Sequence, residues 1–399
     1  MTARRRLAIV ASHPVQYNAP WFRALAAEVD LQVLFAHRVT PADQVRAGFG
    51  VAFDWDVPLL DGYRSDWLRN VARRPGVDHF WGCNTPDVAA RLSPSRVDAL
   101  LVTGWNLWSY WQAVRAARRA GVPVMVRGDS QLVTRRGAVK RMAKRVVYPR
   151  VLEAFDACLT VGRRNHEYYR YYSVPSERLY RAPHSVENQF FARTADVARR
   201  AVPDARDSLG VPRDAVVFVF AGRLTDLKRP LDFMSALDHV RRLQAPVWGL
   251  IVGDGALRGA VEEHKRRNGT PCTITGFMNQ QQIATAYAAA DAIVLPSSAG
   301  ETWGLVVNEA MACGLPAIVS DEAGCAPDLV VEGRTGFTYP CGNVAALTAR
   351  MIRLAGDGAL RREMAGQSAV HIESYSPQAT AAGVLAALEH VRPRAATAA

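Results

Sequence analysis

The sequence predicts an α/β chain built as two doubly wound domains in series. Three observations carry this. Short apolar runs of strand length alternate with helical patterns along the chain. At 399 residues the chain is long for a single core. One stretch, residues 291–320, reads in full as a βαβ unit of a parallel sheet.

That stretch is DAIVLPSSAGETWGLVVNEAMACGLPAIVS. Its first apolar run, 292–295, is flanked by Asp291 and Pro296, as suits a buried parallel strand. A polar loop with Gly300 follows, then a helical pattern over 304–313 that Gly314 and Pro316 stop. Residues 317–319 return as a strand. Ligands of such sheets bind at the carboxyl ends of strands, beside helix N-termini. Two carboxylates stand there, Glu301 in the loop and Glu309 inside the helix. They read either as a helix-start charge and a solvated face, or as ligand groups. The run AMACG after Glu309 is apolar and favours the second, since a carboxylate there needs a partner such as a sugar hydroxyl.

In chain order, RLAIVAS (6–12) is the first strand, and Pro20 suits the start of the helix after it. LQVLFAH (31–37) is the second strand; residues 38–97 give no clear element. DALLVTG (98–104) leads into a helix carrying Trp105, Trp108 and Trp111. VPVMVRGD (122–129), ACLTVG (157–162) and RLYRAPHSV (178–186) complete a first domain over 1–195. Residues 187–212 are polar and read as a linker. AVVFVFAGR (215–223) opens a second series over 196–376, continued by VWGLIVGDG, CTITGF, DAIVLPS, LPAIVS and TGFTYP. A last helix lies within 377–399.

The run ETWGLVVNE, 301–309, with its flanking strands resembles the E-x7-E unit of retaining glycosyltransferases of family four, glycosyl transferases group 1. The resemblance implies the GT-B fold: α/β, two Rossmann-like doubly wound domains with an interdomain cleft. It also implies that the last helix crosses back onto the first domain. FAGRLTDLKRP (220–230) matches the family's loop for the donor pyrophosphate, so the resemblance gives that role to Arg223 and Lys228. A planar guanidinium fork and a point charge both suit a diphosphate. Gly222 lets backbone approach the ligand, and Gly253 in VGDG stands in the loop beneath the nucleotide. Gly276, Phe277 and Met278 match the position at the base. Glu309 is implied to take ribose hydroxyls and Glu301 the transferred sugar, while Gly304, Leu305 and Val306 offer backbone N–H groups to the phosphate.

Three departures stand out. Trp303 occupies a place where Phe is usual. The first loop, SHPVQYNAP, lacks glycine. Trp105-Asn106 stands where the family carries an active-site His. His13, Asp129 and His184 are the acceptor-side candidates; each also reads as an ordinary structural group.

Net charge is +12, unevenly spread. Residues 1–195 hold 29 Lys+Arg against 16 Asp+Glu, and residues 196–399 hold 20 against 21. The first half therefore expects an anionic partner. RRGAVKRMAKRVVYPR (135–150) has seven basic residues and no acidic one. Two readings stand: a helix packing Val139, Met142, Val146 and Val147 on the core, or one lying on an anionic membrane that holds the acceptor. No apolar run reaches the ~18 residues of a membrane span, and LAIVAS is too short for a signal-peptide core. Six scattered cysteines suit reduced thiols of a cytoplasmic protein, peripheral at the inner face of the membrane if the basic helix docks there. Asp54-Trp55-Asp56 mimics a D-x-D metal motif but follows no hydrophobic strand, so no metal and no cofactor are expected.

The expected function is sugar transfer from a nucleotide diphosphate sugar, with UDP or GDP, to a glycan, lipid-linked saccharide or small hydroxyl acceptor. The rivals are a non-hydrolysing nucleotide-sugar epimerase of the same fold and a basic nucleic-acid-binding protein. The E-x7-E unit favours transfer over the first. The absence of an RNA-binding motif and the neutral second half speak against the second.

Overall fold

The computed structural model describes residues 4–44, 51–133, 137–201, 203–243 and 246–393, without the side chains of residues 42, 44 and 138–141. It divides into two compact units. One comprises Met1–Val39, Pro58–His184 and Pro377–Ala399, the other Thr40–Val57 and Ser185–Ser376.

The first unit holds seven strands: β1 Arg6–Ala11, β2 Asp30–Phe35, β3 Arg64–Trp67, β4 Ala99–Val102, β5 Val124–Gly128, β6 Ala157–Thr160 and β7 Leu179–Arg181. All pair in parallel, in the order β3-β2-β1-β4-β5-β6-β7. Winding reverses at β1, where Leu7 pairs with Leu31 on one side and Ala99 on the other. β4 and β6 are buried along their whole length, as short VILA-rich strands between helix layers are. β3 is RSDW, with no apolar run to betray it; pairing with β2 at the sheet edge makes it a strand. The Pro377–His390 helix packs on the Ala19–Glu28 helix and on β7. Its Ala381, Val384, Ala387 and Leu388 share one core with Trp21, Phe22 and Leu25. A Cβ on Gly383 would come within 1.9 Å of the Arg181 carbonyl oxygen, so only glycine allows this approach.

The basic Ala138–Leu152 helix does not pack the way its spacing suggested. Met142, Val146 and Val147 are 72%, 60% and 51% exposed, while among the described side chains Leu152 is buried and Tyr148 packs partly buried against the core. The apolar face of the sequence pattern is thus open to solvent at these three residues, where the spacing predicted packing. Val139, Lys140 and Arg141 have side chains outside the described residues, and Arg135 and Arg136 lie outside them altogether.

The second unit holds β8 Val216–Ala221, β9 Val247–Val252, β10 Cys272–Gly276, β11 Ala292–Leu295, β12 Ala317–Ser320 and β13 Gly336–Tyr339. They form a parallel sheet in the order β10-β9-β8-β11-β12-β13. The supposed linker 187–212 is mostly helix instead, Asn188–Arg200 and Ala205–Ser208. Phe191 and Ala195, one turn apart, are buried, and Phe191 lies 6.4 Å from the Tyr287 ring. That packing moves the division between units from 195/196 to 184/185. Its signal was the i, i+4 pair inside a polar run. All six cysteines are free thiols, five of them buried. Among the described residues no helix is long and apolar enough to cross a membrane.

Candidate active site

The site of the second unit is assembled where β8, β9, β10 and β11 end. Gly222, Gly253 and Gly276 follow one another across three of those ends. The Gly222 N–H donates to Val252 O at 2.9 Å, and the Gly253 N–H to Gly276 O at 2.8 Å. Gly253 has φ +139°, and a Cβ there would sit 1.9 Å from the Gly222 carbonyl oxygen. No side chain fits, so bare backbone lines this edge.

Arg223 leaves β8 half-buried, and the turn Asp226–Lys228 brings Lys228 back over Gly222, its side chain 3.7 Å from where a Gly222 Cβ would stand. Lys228 Nζ donates to Glu301 Oε2. The two side chains are only 12% and 13% exposed, so the pair is largely shut off from solvent. Backbone bonds hold both partners in place. The Ser298 N–H donates to Leu227 O at 2.9 Å, the Glu301 N–H to Ser298 O at 2.9 Å, and the Gly324 N–H to Glu301 O at 2.9 Å. Two residues that the resemblance assigns to phosphate and to sugar therefore face each other directly.

The Leu305–Ala312 helix starts at Gly304, whose φ of +104° is left-handed. A Cβ there would meet Leu295 at 2.5 Å. After the loop the chain can thus turn into the helix close against the end of β11, leaving the first N–H groups at the site's edge. Trp303 is buried and donates from Nε1 to Asn308 Oδ1 at 2.8 Å. This satisfies the extra N–H that Trp brings in place of the usual Phe.

Glu309 is 2% exposed and accepts from the Tyr287 hydroxyl at 2.6 Å. The solvated-face reading is excluded. Tyr287 itself carried no signal in the sequence; it stands among alanines of the Gln280–Ala289 helix. Phe277 and Met278, half-buried, follow Gly276 off β10. Asp56 stands at a helix start. Its carboxylate accepts the N–H groups of Gln280 and Gln281, both at 3.1 Å, at the start of the helix that follows Met278. Among the described residues no group of three His, Cys, Asp or Glu is placed to hold a metal.

The acceptor-side candidates all lie at the carboxyl edge of the first sheet. His13 follows β1, with Nδ1 3.0 Å from Ser12 Oγ. Asp129 follows β5 and is exposed, while His184 lies beyond β7. Sequence reasoning passed over Arg127, inside β5 two residues before Asp129. It is buried at 7% exposure, donates to the carbonyls of Ala182 at 3.2 Å and Pro183 at 3.0 Å, and approaches His184 Nδ1 at 3.5 Å. Burial pushes its pKa down to about 10 although Asp129 raises it. Burial first, then the Arg127 charge, holds His184 well below the ordinary imidazole value. His184 is therefore neutral near pH 7, and a guanidinium beside Nδ1 leaves the proton on Nε2. Where a family His was missing, the Trp105 indole lies over β5: a Cβ on Gly128 would meet Trp105 Cζ3 at 2.8 Å.

Residues 202–371 match the family model for glycosyl transferases group 1. A D-inositol 3-phosphate glycosyltransferase of Streptomyces bingchenggensis is 33% identical over 189 residues, 43% of this chain and 40% of that protein. A lipopolysaccharide 1,2-N-acetylglucosaminetransferase of Salmonella typhimurium is 30% identical over 161 residues, 38% of this chain and 42% of that protein. The chain thus spans about two fifths of the length of these relatives. The structure of Anabaena HepE in complex with UDP superposes with a TM-score of 0.73 at 17% identity, covering 97% of this chain and 100% of that one. Residues 202–371 are thus similar to the glycosyl transferases group 1, and the chain's two parallel sheets are those of the GT-B fold.

Proposed function

We propose that the protein transfers a glycosyl group, with retention, from a nucleotide diphosphate sugar to an acceptor. The observation that carries this is the Lys228–Glu301 pair, set beside bare glycine backbone and the start of the Leu305–Ala312 helix. A diphosphate entering there takes Lys228 and Arg223, and the sugar's hydroxyls take Glu301, so that neither partner of the pair is left alone. Stabilising the leaving diphosphate by Arg223, Lys228 and the helix N–H groups of Leu305 and Val306 lowers the barrier without a metal. Glu309, already a buried hydrogen-bond acceptor, takes ribose hydroxyls. The acceptor hydroxyl attacks on the face of the leaving group, and no protein nucleophile is used. Donor chemistry of this kind is supported by the relatives, which are named as glycosyltransferases, and by HepE, which is described with UDP.

The acceptor is a saccharide, free or lipid-linked, held on the basic first unit. Exposed Met142, Val146 and Val147 beside Lys144, Arg145 and Arg150 suit an anionic membrane surface, each nearby basic group adding about 1 kcal/mol. A groove of about 290 Å³ lined by Trp111, Val146, Val147 and Val151 adjoins that face. The protein then works in the cytoplasm, at the inner face of the membrane.

A thermal-shift screen over UDP- and GDP-sugars tests the donor half, since a ligand at ~100 times its Kd adds about 2.7 kcal/mol. No shift with any of them would remove the reading. Sugar transfer should survive EDTA. Vesicle co-sedimentation tests the membrane half: binding rises with anionic lipid and falls with salt, and equal recovery on neutral vesicles would end it.

A further inference from the structure

Residues 51–57 belong to the second unit although the chain places them between β2 and β3. Four hydrogen bonds fasten the segment to the start of the Gln280–Ala289 helix. Two are the Asp56 carboxylate contacts to the N–H groups of Gln280 and Gln281. In the others, Gln281 Nε2 donates to Asp56 O and Asn279 Nδ2 to Asp54 O, both at 2.7 Å. So held, Phe53 lies on Phe277 with ring centroids 4.2 Å apart and planes 32° apart, and Trp55 meets Phe53 edge-on at 4.9 Å.

A base sandwiched between two rings needs them about 7 Å apart, twice a van der Waals contact. The spacing here leaves no such room. We infer that residues 53–56 form a strap that covers the base-binding face of Phe277, and that the base of an incoming nucleotide displaces Phe53. The inference rests on the donor reading of Phe277. It accounts for Asp54 and Asp56 as the strap's anchor, and for why so many polar contacts converge on so short a segment. The strap competes with the base, since its anchors stand at the start of the Gln280–Ala289 helix and not in the loop of Arg223 and Lys228.

Calorimetric titration of the full chain with UDP, GDP and inorganic pyrophosphate tests this. Phe53→Ala should bind UDP or GDP about three- to tenfold tighter than wild type, the equivalent of one aromatic contact no longer broken. Pyrophosphate affinity should not change. Asp56→Asn, which weakens the anchor without removing a ring, should shift nucleotide affinity in the same direction by less. Nucleotide binding that is unchanged or weaker in Phe53→Ala overturns the strap, as does an equal gain for pyrophosphate. Binding of neither nucleotide by folded wild type or variant removes the donor reading itself, and the strap's role with it.

Discussion

At the carboxyl edge of the second sheet, Lys228 and Glu301 come from separate segments and neutralise each other, 12% and 13% exposed. At the same edge of the first sheet, Arg127 is buried on the carbonyls of Ala182 and Pro183, beside an imidazole kept neutral. The first arrangement can be traded. On the proposed donor reading an anion replaces the carboxylate and hydroxyls replace the ammonium, so that no charge is stranded. The second cannot, because moving the guanidinium would strip the buried Ala182 carbonyl of its bond at about 1–3 kcal/mol, while the Pro183 carbonyl would keep the Thr380 hydroxyl. A paired charge therefore marks where a ligand comes and goes, and a carbonyl-bound charge marks a wall.

Removing the traded cation should have the largest effect. Lys228→Ala or Arg223→Ala should lower turnover at saturating donor by about 10²- to 10³-fold, the scale of one lost transition-state contact. Turnover within tenfold of wild type would erase the distinction between the two edges. Next comes Glu309→Ala, which should weaken donor binding by about 1.5–3 kcal/mol, the worth of a charged hydrogen bond; titration with UDP and GDP reads it directly. Unchanged binding would leave Glu309 as Tyr287's partner and nothing more. Trp303→Phe restores the family's usual residue but removes the Nε1 hydrogen bond to Asn308, and should lower the unfolding free energy by about 1–2 kcal/mol while leaving donor affinity near wild type.

Smallest is a pH effect confined to the wall. The His184 value is lowered in the folded protein, so the unfolded chain binds the extra proton. Stability from this group is complete above the unfolded imidazole value of about 6.5 and is lost as pH falls below it. Denaturant midpoints at pH 7.5 and 5.5 should differ less in His184→Gln than in wild type. An equal drop in both proteins would place the acid sensitivity elsewhere.

The second unit was the more legible in sequence because its site comes in contiguous pieces. FAGRLTDLK, VGDG and TGFM each carry a strand end together with candidate ligand groups, and ETWGLVVNE carries its candidates at a helix start. What stayed hidden was pairing across pieces: Lys228 with Glu301, and Tyr287 with Glu309. The first unit's edge has no such runs. Arg127 stood inside VPVMVRGD and read as the tail of a strand, since nothing local says that a charged strand residue will meet the carbonyls after β7. β3 and the helix Asn188–Arg200 failed for a related reason: both are polar in sequence and owe their structure to a partner far along the chain. The exposed face of Ala138–Leu152 shows the converse, an apolar period that tertiary packing leaves uncovered.

The helix Pro377–His390 has a consequence for how the chain is made. Its side chains fill the core beside Trp21, Phe22 and Leu25, yet they leave the ribosome only after the whole of residues 185–376. At roughly 5–20 residues per second this is a delay of about 10–40 seconds. The second unit has every residue of its own core while the first still waits with an open apolar face. In this protein the half whose synthesis begins first is the half that receives its last core residues last.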